Sequence, residues 1–340
     1  MDLTTPYLGL TLDNPLVASA SPANAQIDHL RRLEDAGAAA VVLPSLFEEQ
    51  VGVAGKQREA ILATGIDSNP EMHQHYFPPA HIASGPYGLV PDRYLDLLRR
   101  ARESLSIPVI ASLNGTTPGG WLDFGKQIEQ AGAQALEVNL YAVPTDLFES
   151  GAVIEERYVR IVQELRGQLG IALCVKMGPY FTNVGNMAQR FVEAGAAGLV
   201  VFNRFVQPDI DLHRLKLSSE LTLSQAIDMR LPLQWIALLA GRIRASLAAS
   251  SGVENAEQVI KYLYAGADAV MVTSTVLREG PSCFERLLGG LKAWLEAREV
   301  DSLDAIRGAM SFARLKDPAA YTRGQYLDRL QTWSGRHLDA

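Results

Sequence analysis

The chain has 340 residues, 48% of them apolar and 20% charged, with a formal net charge of −7. Those proportions exclude a globally disordered chain, and the length suits one large domain or two small ones. Lys and Arg are scattered rather than massed, which argues against nucleic acid as a partner, and no run approaches the ~20 apolar residues that span a bilayer.

The opening MDLTTPYLGLTLDNP lacks the basic start and apolar core of a secretory leader. Cys174 and Cys283 sit at no disulfide-framework or metal-ligand spacing. Together these features point to a reducing cytoplasm. An Ala-Gly-Ala triplet recurs at 36–38, 131–133, 194–196 and 265–267. Each copy ends a helical pattern and precedes an apolar, β-branched run, where glycine stops the helix in the left-handed conformation. The later intervals each leave room for two βα units of roughly 30–35 residues.

In chain order the strand candidates are NPLVASAS (14–21), AAVVLPS (39–45), PVIASLN (108–114), ALEVNL (135–140), ALCVKMG (172–178), GLVVFN (198–203), SLAASSG (246–252) and AVMVTST (269–275). They are short with little alternation, as strands of a parallel sheet are when both faces are covered. Helical patterns run over 25–36, 119–131, 153–168, 184–194, 231–245, 254–265 and 281–297. Eight strands with intervening helices predict a closed (β/α)8 TIM barrel. An open doubly wound sheet is the alternative, weakened because no GxGxxG follows the first strand.

The spacing breaks over 47–105, which includes GIDSNPEMHQHYFPPAHIASGPYG. Its 47–90 part is expected to be a lid or substrate loop on the C-terminal, chemistry-bearing face of the barrel. His73, His75 and His81 cluster there without a carboxylate–His spacing, so a solvated or substrate-facing loop is expected rather than a metal site. A second extended segment, 204–231, follows the sixth strand. The tail 299–340 is expected to add one or two outer helices, with no linker to a second domain.

Several strand ends carry candidate chemistry. Ser250-Ser251-Gly252 and Thr273-Ser274-Thr275 end the last two strands, where hydroxyls, free N–H groups and a helix start suit a phosphate. The same residues also serve as ordinary caps. Lys176 ends the fifth strand. An ammonium there calls for an anion, either a ligand or a neighbouring carboxylate such as Glu137. Asn114, Asn139 and Asn203 end three further strands. Three amides on one face can read a planar polar ring, although Asn favours such positions anyway. Cys174, two residues before Lys176, faces the same way and reads as a small core residue.

Taken in order, NPLVASASP, AVVLPSLFEEQ, ASLNG, LEVNL, VKMGPYF, VVFNRF, a long segment ending LPLQW, and SSGVENAEQVIKYLYAGADAVMVTSTVLREGP resemble the dihydroorotate dehydrogenase family over about 5–300, and most closely its dihydroorotate dehydrogenase-like branch. The resemblance implies one FMN-binding barrel over 1–340, with extra helices at 299–340. It implies an FMN-dependent oxidoreductase that moves a hydride between a CH–CH substrate and flavin, in a setting of pyrimidine biosynthesis. Lys176 matches a family lysine near the flavin ring, where it stabilises the anionic reduced form. Lys176, Asn139 and Asn203 are the implied catalytic set. Ser19, Ala20 and Ser45 match flavin-contacting positions after the first two strands, and Asn114 joins this cofactor set. Ser251, Gly252, Thr273 and Ser274 match the phosphate-binding turns, with Ser-Gly for the usual Gly-Gly and Thr-Ser for Gly-Thr.

The departures concern catalysis. The family's base is a Cys or Ser in a pattern such as NLSCPN, and Ala142 stands in its place. A lysine expected before Ser45 is Pro44, and the family's NSMGLPN-type substrate loop is not recognisable in 65–90. A general base typically contributes a factor of about 10²–10⁴, so a substrate other than dihydroorotate is expected. Tyr141 or Thr145 replaces the base only if the loop is rebuilt. The alternatives are a true dihydroorotate dehydrogenase with a displaced base, a non-catalytic barrel that binds flavin or a partner, and an aldolase-like enzyme using Lys176 as a Schiff base. The family also implies a homodimer, a small-molecule substrate and no membrane contact. With no cysteine cluster in the chain, an iron–sulfur relay would come from a redox partner protein.

Overall fold

The structure is a computed structural model that describes residues 1–52, 90–119, 121–218, 221–322 and 324–337. The three clustered histidines and most of the expected lid lie outside those residues.

Eight parallel strands close into a barrel: β3 (Leu16–Ala18), β4 (Ala40–Phe47), β5 (Val109–Asn114), β6 (Ala135–Asn139), β7 (Ala172–Met177), β8 (Gly198–Val201), β11 (Ser246–Ser250) and β12 (Ala269–Val272). β8 pairs with β11 and β12 returns to β3, which completes the ring. The strands are those expected, and the fold is a (β/α)8 TIM barrel. Nearly every strand residue is buried, because helices cover the outer face and neighbouring strands fill the inner one. Gly37, Gly132, Gly195 and Gly266, the centres of the repeated triplets, all have positive φ and turn each helix into the next strand.

The outer layer comprises α1 (Ile27–Asp35), α2 (Pro91–Ser104), α3 (Phe124–Gln130), α4 (Gly151–Gln168), α5 (Val184–Glu193), α6 (Arg230–Leu239), α7 (Ala256–Ala265), short α8 (Ser274–Glu279) and α9 (Cys283–Glu296). Two of these depart from expectation: short α8, which starts inside the run read as the eighth strand, and α2. Helix α2 lies inside the segment read as irregular. Pro91 opens it, and Tyr94, Leu95, Leu97, Leu98 and Ala101 form its buried stripe. Its Asp and Arg residues lower the mean hydropathy enough to obscure that period. The tail contains two 3-10 turns, Leu303–Ala305 and Pro318–Tyr321, and helix α10 (Gly324–His337).

Two antiparallel hairpins were also unexpected. β1 (Thr5–Tyr7) and β2 (Leu10–Leu12) plug the N-terminal end of the barrel. Tyr7, Leu8 and Leu12 join Val17, Val42, Ile110, Cys174 and Val200 in one apolar cluster. A Cβ on Gly198 would collide with the Leu8 side chain, so the plug depends on glycine at that point. Thr5 Oγ1 donates to the Asp268 carbonyl at 2.8 Å and ties the plug to the chain before β12. The other hairpin, β9 (Ile210–Asp211) with β10 (Lys216–Leu217), lies within the segment after β8. Among the described residues, no helix is long and apolar enough to cross a membrane.

Candidate active site at the barrel mouth

Alternate residues of a strand face the same way, and the register brings these inward sets together. Glu137 pairs with Cys174 and Asn139 with Lys176 across β6 and β7, while Asn114 pairs with Asn139 across β5 and β6. Lys176 is 7% exposed, and its Nζ donates to Ser19 Oγ at 3.3 Å. The same Nζ lies 3.6 Å from Glu137 Oε1. Glu137 is 1% exposed, and neither of its carboxylate oxygens has a hydrogen bond among the described residues. The ammonium is therefore the charge that compensates this buried carboxylate, and removing it would strand the acid. Both readings of Lys176 meet here: it pairs with Glu137, and it also lines the open mouth.

Asn203 Nδ2 donates to Asn139 Oδ1 at 2.9 Å, which joins two amides 64 positions apart in the chain. Ser45 Oγ meets Ser112 Oγ at 2.8 Å. Pro44 has no N–H to give the ladder, and the β4–β5 register shifts between Val42 and Ser45, so the bulge re-aims Ser45. Two positioning residues escaped the sequence reading. Asn24 donates to the carbonyls of Ser19 and Val42 at 3.0 and 2.8 Å, tying the end of β3 to β4. Tyr94 of α2 donates to the Ser112 carbonyl at 3.1 Å and accepts from its N–H at 2.7 Å. A short polar side chain after a strand was the only available signal for Asn24, and the unread helix hid Tyr94.

A cavity of about 300 Å³ is lined by Ala20, Lys176, Asn203, Ser251, Gly252, Thr273 and Ser274, among others. Ser19, Ser45, Asn114 and Asn139 are not on its wall; they stand behind or beside it. Ser251 and Gly252 have φ of +83° and +72°. A Cβ on Gly252 would lie 2.6 Å from the Met229 nitrogen, so this turn requires glycine. Gly252 N–H donates to Ser224 Oγ at 3.2 Å, and Ser224 Oγ donates to Ser274 Oγ at 2.8 Å. Ser224 therefore links the two strand-end turns across 28 and 50 positions of sequence. Nothing local marks it beyond its place in the extended segment after β8. Tyr262 donates to the Ser251 carbonyl at 2.7 Å and holds the same turn from α7.

The loop after β6 carries the sharpest departure. Ala142 is half-buried and packs against the core. Tyr141 does not substitute as a free base: its hydroxyl accepts from Val206 N–H at 3.1 Å, and its ring stacks on Phe205 with centroids 4.4 Å apart. Thr145 is exposed. Below the mouth, burial first and the Glu137 charge second push the Cys174 thiol far up, and its Sγ lies 3.5 Å from the Tyr7 hydroxyl. Cys174 is a packed core residue.

The dihydroorotate dehydrogenase family model matches residues 90–295. The chain belongs to that family. Its class of chemistry is accordingly that of an oxidoreductase acting on CH–CH groups. A putative dihydroorotate dehydrogenase A (fumarate) of Aeropyrum pernix is 29% identical over 228 residues, covering 62% of this chain and 70% of that protein. A dihydroorotate dehydrogenase B (NAD(+)) catalytic subunit of Methanothermobacter thermautotrophicus is 23% identical over 313 residues, covering 90% of this chain and 97% of its own. The Pyrococcus furiosus protein of the same name is 23% identical over 320 residues, with 91% and 98% covered.

Proposed function

We propose that this member of the family is an FMN-dependent oxidoreductase whose small-molecule substrate is not dihydroorotate. The observation that carries the reading is the single cavity joining the Lys176 ammonium to the Ser251-Gly252 and Thr273-Ser274 turns. Those residues fit FMN. The left-handed turn at Gly252 has no room for a Cβ, its N–H meets a hydroxyl rather than a carbonyl, and a buried cation stands at the other end. Ser251, Gly252, Thr273, Ser274 and Ser224 would hold the phosphate, and Ser19, Ala20, Ser45, Asn114, Asn139, Lys176 and Asn203 the ring.

When bound, FMN supplies a two-electron acceptor for a hydride. The chain's own residues set the conditions around it. Glu137 and Ser19 fix the Lys176 ammonium, and a fixed cation favours negative charge developing beside it at no reorganisation cost. The Asn139–Asn203 contact leaves further amide donors and acceptors to orient a planar polar group. Ala142 accepts no proton, so proton removal at its position falls to the substrate's own acidity or to water. Purified protein with a visible flavin spectrum that dithionite bleaches supports the reading, and colourless protein that takes up no FMN on reconstitution defeats it. Anaerobic bleaching by a candidate substrate then identifies what is oxidised.

The absence of a base at Ala142 favours a second reading, a barrel that holds flavin without turnover and accompanies a redox partner. Dihydroorotate turnover with fumarate, quinone or NAD would remove both this reading and the substrate change. A cytoplasmic homodimer completes the proposal, and sedimentation of the purified protein tests its assembly.

A further inference from the structure

Beside the mouth, on the side away from the phosphate turns, lies a second cavity of about 320 Å³. Its floor comes from the residues that directly follow the candidate site: Leu140 after Asn139, and Gly178 two positions after Lys176. Ala142, from the loop after β6, and Ile154 and Tyr158, one turn apart on α4, also line it, and Tyr158 is locked edge to face with Phe181, their centroids 6.3 Å apart. Phe205 stands between this cavity and the one beside Lys176, and it lines both. It is pinned by stacking on Tyr141 and by an edge contact with Tyr180 at 4.9 Å. A Cβ on Gly178 would lie 2.6 Å from the Phe205 ring, so glycine is what admits this partition.

The charges decide what the cavity accepts. Among the described residues no Lys or Arg lines it. Its carboxylate, Glu155, is occupied by Arg190 Nη1 at 3.1 Å. An anionic group entering here would lose its hydration and gain no counter-ion from the described residues, whereas a neutral apolar group loses only ordered water. The fixed aromatic walls suit a flat ring, which prefers edge and offset contacts.

We infer that this cavity is a substrate subsite for a neutral aryl or branched-alkyl substituent. It sits beside Ala142, where a catalytic Cys or Ser would have narrowed the space. The inference rests on the reading that the cavity beside Lys176 takes the flavin, which leaves this one for the part of the substrate that does not react. The substrate class is then a molecule with a planar polar reacting head and an uncharged apolar arm.

The test is calorimetric titration of the FMN-loaded protein with 2-naphthol, a neutral aryl probe, and with orotate, an anionic ring. Naphthol is expected to bind at least about tenfold more tightly than orotate and to perturb the visible flavin band. Ala142→Leu and Ile154→Phe, which fill the cavity from the loop after β6 and from α4, are expected to weaken naphthol at least about tenfold while flavin content is unchanged. Tighter binding of orotate overturns the inference. So does naphthol binding that neither variant alters, because the probe is then elsewhere. If the protein takes up no FMN, the flavin reading fails by that result, and naphthol titration of the colourless wild type and variants still decides the subsite.

Discussion

Near the hairpin plug the inward positions of the barrel are Val17, Val42, Ile110, Ala135, Cys174, Val200 and Ala248. One step further along the same face, in five of these seven strands, they become Ser19, Ser112, Glu137, Lys176 and Ser250. The lower layer is packed shut against Tyr7 and Leu8. In those strands the upper layer is a set of hydroxyls and one ion pair, with a cavity above it. Two residues of chain separate scaffold from chemistry, because a strand returns to the same face every second residue. The comparison teaches that the lower layer exists to hold the upper one in place, and each can be perturbed separately.

The largest effect is expected from Lys176→Met. It leaves Glu137 buried without a counter-charge, so urea unfolding should reveal a loss of about 3–5 kcal/mol. The double variant Lys176→Met/Glu137→Leu should recover much of that loss. If the single variant is no worse than the double, the pair does not hold the layer together. Next, Leu8→Ala cuts into the plug and should cost about 2–5 kcal/mol by the same measurement, with FMN uptake unchanged. Lost uptake in that variant would break the separation of the two layers.

Gly252→Ala acts only above. The left-handed backbone and the approach of Met229 should together cost about 1–3 kcal/mol, and retention of FMN through gel filtration should fall sharply.

The smallest effect concerns pH. Burial, followed by the Glu137 charge, holds the Cys174 thiol far above its ordinary 9.0, and burial followed by the Glu279 charge pushes Cys283 up to about 11. A thiol that keeps its proton only in the folded state makes the unfolded state bind fewer protons above pH about 9. Stability is therefore full below that pH and falls by about 1.4 kcal/mol per unit for each thiol as the pH rises. Cys174→Ala should make the slope between pH 9 and 10 shallower by one thiol's contribution. A slope identical to wild type would mean that the lower layer is wet.

Much of the scaffold was legible. Eight apolar runs and four Ala-Gly-Ala stops define the barrel because a strand covered on both faces has no polar side to hide it. Helix α2 was not, since seven charged side chains dilute its stripe, and the β1–β2 plug was too short to show a period. At the mouth, Lys176, Asn139 and Asn203 stood out as polar residues ending apolar strands. Their partners did not. Ser224 meets Gly252 and Ser274 only through folding, and which anion Lys176 meets was undecided between Glu137 and a ligand. The cavity walled by Phe205 draws on three separate loops, and no one stretch of sequence encodes it.

The bond from Thr5 to the carbonyl of Asp268 spans 263 positions, and β3 lies against β12. During synthesis the hairpin emerges early and then waits for the last barrel strand. Until β12 is made, both outer strands of the growing sheet, β3 and β11, lack their final neighbour. Such far-separated pairing slows folding and leaves unpaired strand edges open to aggregation. A shortened chain ending before β12 should therefore accumulate as aggregate rather than as a smaller barrel.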